Sequence, residues 1–193
     1  MPSYADLEFI VSTTAPEDAP ELFQLTVVPA LVERWLDDYD ARLQGLFRQR
    51  HGRSRSGGGV VHATIEGFSY LFDLDFDRLI AAWGVSLGRN ANPRDPGRMA
   101  GHPQSAGPLY HRGHAIAHSL GGGADINIVP QWARHNIGGF RSLEIAAVDT
   151  PGALYFTYWI YGVRQLQTPI RVEQGLLVAD EGARPSRTGV RRF

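Results

Sequence analysis

The chain has 193 residues, of which 43% are hydrophobic and 20% charged, with a formal net charge of −1. Those fractions fit a globular protein and exclude global disorder, and a chain of this length buries a core without covalent staples. There is no cysteine, which excludes both a disulfide framework and a thiolate zinc site.

The N-terminal stretch MPSYADLEFIVSTTAPEDAP has acids at Asp6 and Glu8 and no basic residue, unlike a secretory signal. Synthesis in the cytoplasm is expected, with any export or injection left to a specialised secretion system. No run reaches the roughly 18 apolar residues of a membrane span. Leu7 to Ser12 reads as a short apolar strand. Thr13-Thr14-Ala15-Pro16-Glu17 reads as a helix entry, with a hydroxyl cap, an early proline and an acid in the first turn. Pro29 interrupts or restarts that helix. From Leu31 to Phe47 the apolar residues Leu31, Val32, Trp35, Leu36, Tyr39, Leu43, Leu46 and Phe47 fall mostly three or four apart, the period of an amphipathic helix.

Arg48 to Gly59 is basic and glycine-rich and reads as a connector. A phosphate cradle would need the Walker spacing and its lysine, and the chain has no lysine. Val60 to Leu74 alternates as one or two strands, and Phe76 to Trp83 suggests a short helix. Arg89 to Pro108 contains Pro93, Pro96, Pro103 and Pro108 and reads as a loop. It divides residues 1–100, an N-terminal region of helix and strands, from residues 101–193. Residues 1–50 hold nine acids against four arginines, so the remainder is net positive. Leu154 to Tyr161 is a strongly β-prone run, and Ile170 to Val178 has a second strand pattern. The tail 181–193 contains Arg184, Arg187, Arg191 and Arg192 and reads as a mobile, solvated end.

The densest polar set lies between Tyr110 and Glu144. His111, Arg112, His114 and His118 precede Gly121-Gly122-Gly123. Asn127 sits in the strand-like stretch Ile126 to Val129. Gln131 to Val148 follows with Trp132, Phe140, Leu143 and Ala147 at helical spacing, and Asn136 and Glu144 fall on it. Coarsely this is strand, turn, strand, helix.

Phosphodiester hydrolysis needs a base that titrates near neutrality, the usual role of histidine. It also needs cations or arginine to neutralise the phosphate. Mg²⁺ takes oxygen ligands and keeps several waters, so one asparagine oxygen and a carboxylate acting through water suffice. Asn136 and Glu144 would stand roughly 12 Å apart along an unbroken helix. Glu144 is therefore expected to act through water, or the helix to be irregular near Gly138-Gly139. Alternatively, His111, His114 and His118, spaced H-x₂-H-x₃-H, could ligate zinc in an interaction domain.

This stretch resembles the DNA/RNA non-specific endonucleases with a ββα-metal site. Their box is Asp-Arg-Gly-His; here it reads His111-Arg112-Gly113-His114. Their strand Asn-Ile-x-Pro-Gln is matched by Asn127-Ile128-Val129-Pro130-Gln131. Asn136 follows Asn127 by nine residues, and Glu144 follows Asn136 by eight, as in the family. GHAIAHSLGG and TPIRVEQGLLV look like its bacterial toxin-associated branch, and the likeness covers about residues 109–180.

The resemblance implies an α+β fold, an antiparallel sheet with a ββα-metal motif and an N-terminal extension. It implies His114 as general base, Asn136 as the direct ligand of Mg²⁺ or Mn²⁺, and Glu144 orienting the metal's waters. Arg112 would hold phosphate and Asn127 would position the His114 loop, with His118, Arg134 and Arg141 as further phosphate contacts. DNA and RNA are the implied substrates and a cognate immunity protein an implied partner. His111 in place of the family's Asp is a departure, and a catalytically silent nucleic-acid-binding module is the other reading it allows. Trp132, Trp159 and Phe140 are expected in the core.

Overall fold

The computed structural model describes residues 2–51, 59–93, 97, 100–103, 105–132, 139–162, 167–179 and 189–192. The fold is α+β with antiparallel strands throughout. Strands β1 (Val60–Ile65), β2 (Phe68–Asp73), β3 (Arg78–Val85), β6 (Leu154–Tyr161), β7 (Pro169–Leu177) and β8 (Gly189–Arg192) form one sheet. Its order is β1-β2-β3-β6-β7-β8. A separate two-stranded hairpin pairs β4 (Tyr110–His114) with β5 (Ile128–Trp132). The division expected near residue 100 runs through the middle of the large sheet, where β3 pairs with β6 from Ala81↔Tyr158 to Val85↔Leu154.

The first helix, α1 (Ala5–Ser12), occupies the segment expected as a strand. Leu7 and Val11, four apart, are its buried residues, and that is helical rather than alternating spacing. The hydroxyls expected to open a helix close this one instead. Thr13 Oγ1 donates to Phe9 O at 3.1 Å and Thr14 Oγ1 to Ile10 O at 2.7 Å. The next helix, α2, begins only at Ala19 (Ala19–Leu22).

A π turn, Phe23–Val27, joins α2 to α3 (Val28–His51). Pro29 therefore does not break the helix. Proline has no N–H for the preceding turn and its ring crowds the carbonyl four residues back. A wider turn just before it relieves both. On α3, Leu31, Trp35, Tyr39 and Leu43 are buried, one stripe at a spacing of four. The helix runs on through Arg48 to His51, into the stretch expected as connector, whose residues 52–58 lie outside the described ones.

Glu66 and Gly67 both have positive φ, 53° and 83°, as a two-residue hairpin requires, and the hairpin splits Val60–Leu74 into β1 and β2. Phe76 to Trp83, expected as a helix, is instead largely β3, which is buried from Arg78 to Gly84. A strand covered on both faces shows no alternation and so mimics a buried helix in sequence. β6 is buried along its whole length. Trp35 of α3 packs on Trp83 and Phe156 at centroid distances of 5.6 and 5.3 Å. On the opposite face Trp159 stacks on Phe140 at 5.9 Å. Phe140 belongs to α4 (Gly139–Val148), so the sheet lies between α1–α3 and α4.

Two buried carboxylates fasten the N-terminal helices to the sheet. Asp73 accepts from the Tyr39 hydroxyl, which accepts Arg78 Nε at 2.8 Å. Glu173, fully buried, accepts the Tyr4 hydroxyl at 2.6 Å and Arg192 Nε at 2.9 Å. Trp35 Nε1 donates to the Tyr4 oxygen at 3.0 Å, and Arg192 also reaches Pro2 O at 3.3 Å. The last described residues, expected as a mobile tail, are thus strand β8, paired with β7. Burying a carboxylate is tolerable only when hydrogen bonds replace its water, and here the side chains of Tyr4, Arg192 and Tyr39 do so, with the N–H groups of Asp75 and Phe76 on Asp73.

Candidate functional site

The box residues sit on β4, whose register sets His114 opposite Ile128 and Arg112 opposite Pro130. After His114 the chain runs through Ala115–Ala117 into a 3₁₀ turn, His118–Leu120, ended by Gly121 at φ 106°. Asn127 precedes β5, at the end of the turn rather than within the strand where it was expected. It is 1% exposed, and its side chain closes the loop. Oδ1 accepts the Ile116 N–H at 2.7 Å, while Nδ2 donates to Ile116 O at 2.8 Å and Gly123 O at 2.9 Å. The backbone adds Ala115 N–H to Asn127 O at 2.9 Å. The acceptor and both donors of one amide are used, so the two residues after His114 are held from several directions.

Gln131 completes the clamp. Its Nε2 donates to the carbonyl of His114 at 3.0 Å, and its side chain lies across Gly113. A Cβ at Gly113 would meet Gln131 Cδ at 2.1 Å. Glycine is needed there for close approach. The same holds at Gly122, where a Cβ would lie 1.9 Å from Ile116 O.

The loop borders a cleft of about 620 Å³ whose lining includes Arg89, Arg112, His114, His118, Arg141, Glu144 and Asp149. His114 is 9% exposed yet forms part of this wall, and the His118 ring stands edge-on to it at 6.1 Å. The structure therefore brings together His114, Arg112, His118, Arg141 and Glu144, with Asn127 behind them. Asn136 and Arg134 fall in 133–138, outside the described residues, as does His135. His111 is exposed on β4 and lies outside this lining.

Glu144 and Arg141 are presented by α4, which two contacts fix to the sheet. Ser86 Oγ donates to Ala147 O at 2.6 Å. Gln174 Nε2 donates to Phe140 O at 3.3 Å and to the Tyr155 hydroxyl at 2.6 Å. Burial, and then the charge of Glu144, push the Tyr155 phenol well above its ordinary value. It is a neutral group beneath the carboxylate.

Reading the sequence missed Arg89. It stands on the loop after β3, and nothing local distinguishes it from other loop arginines. The neighbouring residues give it a place. Asn90 Nδ2 donates to His118 O at 3.0 Å and Asn90 N–H to Ser119 O at 2.7 Å. Ser86, three residues before Arg89, holds α4. The loop thus bridges the 3₁₀ turn and the helix. Trp132 also departs from expectation. It ends β5 instead of starting a helix and is 49% exposed, while Trp159 and Phe140 are in the core.

A hard divalent cation takes oxygen donors. Glu144 supplies a carboxylate to the cleft, and the amide expected beside it is Asn136. Among the described residues no three His, Cys, Asp or Glu side chains form a metal-holding group, so His111, His114 and His118 do not make a zinc site. Among them, too, no helix is long and apolar enough to cross a membrane.

Fold and site together define an α+β protein with a ββα element whose histidine loop borders an arginine-lined cleft. No family model matches the chain, and no curated protein does. Among solved structures, NucA from Streptococcus agalactiae, with no metal bound, is similar to it at 16% identity. That match covers 73% of this chain and 84% of NucA, with a TM-score of 0.45, a likeness too loose to assign a function.

Proposed function

We propose that the chain is a metal-dependent, sequence-non-specific endonuclease that hydrolyses phosphodiesters of DNA and RNA. One observation carries this: an amide-clamped loop presents His114 in a cleft whose lining also includes Glu144 and three arginines. His114 takes the proton from the attacking water. Arg112, Arg141, Arg89 and His118 contact phosphate, as charge-assisted donors suit. Asn127 is a positioning residue that acts through the loop. Mg²⁺ or Mn²⁺ would be held by Asn136 and, through water, by Glu144; such an ion neutralises charge on the phosphate and leaving oxygen. The products are 5′-phosphorylated oligonucleotides, and sequence preference is weak because these groups address backbone rather than base edges.

The sequence likeness to a toxin-associated branch extends the proposal to a toxin or delivered effector with a cognate immunity protein. The test is plasmid degradation with Mg²⁺ or Mn²⁺. Activity should vanish in EDTA and fall by about 10²- to 10⁴-fold in His114→Ala, the usual contribution of a general base. Undiminished cutting by that variant would remove the assignment. Tight DNA binding without cleavage, in every divalent metal tried, would mark a silent nucleic-acid-binding module instead.

A further inference from the structure

Side chains alternate along a strand, and residues directly opposite on paired strands share a face. Tyr110, Arg112 and His114 therefore project from one face of the hairpin, together with their partners Trp132, Pro130 and Ile128. At the end of the hairpin away from His114, Tyr110 and Trp132 border a concavity of about 200 Å³. Phe140 and Trp159, stacked at 5.9 Å with an interplanar angle of 11°, contribute to its lining, as do Ile170 and Arg171. Trp132 and Ile170 are 49% and 62% exposed, and Arg171 is exposed too. An exposed tryptophan with a half-buried tyrosine opposite it and an arginine at the same concavity, on the face that bears the proposed catalytic base, is more than a scattered surface hydrophobe.

We infer that this concavity is a nucleobase subsite in which an unpaired base of the substrate stacks on Trp132, so that the preferred substrate is a single-stranded or locally unpaired nucleic acid. The inference rests on the endonuclease reading and deepens it. Aromatic side chains bind bases through their π-faces with little regard to sequence, which agrees with machinery that addresses phosphates. A base inside a duplex has both faces occupied by its neighbours, so the subsite admits it only once it leaves the stack. Four strand steps, about 13 Å, separate Tyr110 from His114, so the bound base lies beyond the nucleotide being cleaved. Arg171 adds attraction for the backbone and a guanidinium plane over which a base can lie.

The remaining tryptophans, Trp35, Trp83 and Trp159, are exposed by 0%, 4% and 1%, so quenching of intrinsic emission that is lost in Trp132→Ala reports on Trp132. In EDTA, to prevent cleavage, a short oligothymidylate should quench the parent protein, and fluorescence anisotropy of the same labelled strand should give its affinity. Trp132→Ala should weaken that affinity by roughly ten- to hundred-fold, the size of one lost base–aromatic stack. It should leave binding to a blunt duplex unchanged, and Trp132→Phe should recover most of the loss. Equal single-strand affinity in the parent and Trp132→Ala would overturn the subsite. So would binding without quenching. Single-strand binding that ignores Trp132 while plasmid cleavage persists would remove the subsite alone, whereas no binding and no cleavage at all would remove the endonuclease reading with it.

Discussion

Asn127 shows how much one side chain can decide. Its amide bonds both the N–H and the C=O of Ile116, and it does so within two residues of the proposed base. Asn127→Ala would leave a buried N–H and two carbonyls without their side-chain partner. The expected cost is about 2–4 kcal/mol, since each unmet buried group costs about 1–3 kcal/mol and such costs are not additive. Urea denaturation measures it, and cleavage should fall further than stability explains because the His114 loop loses its template. Asn127→Asp should fail to rescue, for a carboxylate cannot donate to Ile116 O and Gly123 O. Stability and cleavage equal to the parent in Asn127→Ala would show that the loop holds itself. The importance of this residue was visible in sequence as part of Asn-Ile-Val-Pro-Gln. Gln131, in the same run, gave no sign that its side chain would cross Gly113 and hold the carbonyl of His114, because that depends on two strands meeting in one register.

Between one element and the next, legibility followed periodicity. The helix α3 was readable because its one buried stripe recurs at a spacing of four. The hairpin β1–β2 and the strands β6 and β7 were readable from β-branched and aromatic runs with turn residues between them. The segments Leu7–Ser12 and Phe76–Trp83 were exchanged, helix for strand, because each is short and apolar and only tertiary burial separates the two forms. The proposed site was legible where residue types and spacing coincide, at His114, Arg112, Asn127 and Glu144. It was illegible at Arg89, whose position depends on a loop strapped between distant elements. Ser86 tests that strap. It donates to Ala147 O at 2.6 Å and accepts the Gly88 N–H at 3.1 Å. Ser86→Ala should cost about 1–2 kcal/mol by thermal melting, and should raise KM for oligonucleotides as Arg89 and α4 lose their common anchor. A melting loss with KM unchanged would confine Ser86 to stability.

At the scale of the whole molecule, aromatic hydroxyls link the layers. The phenols of Tyr4, Tyr39, Tyr70, Tyr155, Tyr158 and Tyr161 are all pushed above the ordinary value of 10.0, burial being the largest cause at each. A phenol whose folded pKa is raised stabilises the fold through its neutral form. That contribution is complete below the unfolded value, near 10, and is lost as pH rises beyond it toward the folded value. Phenolate absorbance should therefore show these six groups silent near pH 10 and ionising together, in step with loss of near-ultraviolet dichroism, at more alkaline pH. Independent titration around pH 10 with dichroism retained would contradict the packing described.

The contact between Arg192 and Pro2 gives the chain the topology of a ring with a narrow gap. Pro2 and Arg192 thus lie close together beside Glu173. A second domain attached before residue 2 and another attached after residue 192 would be neighbours, and a short bridge across the gap would close the ring. The order in which the helices and strands occur along the sequence is then one of several routes around the same circuit.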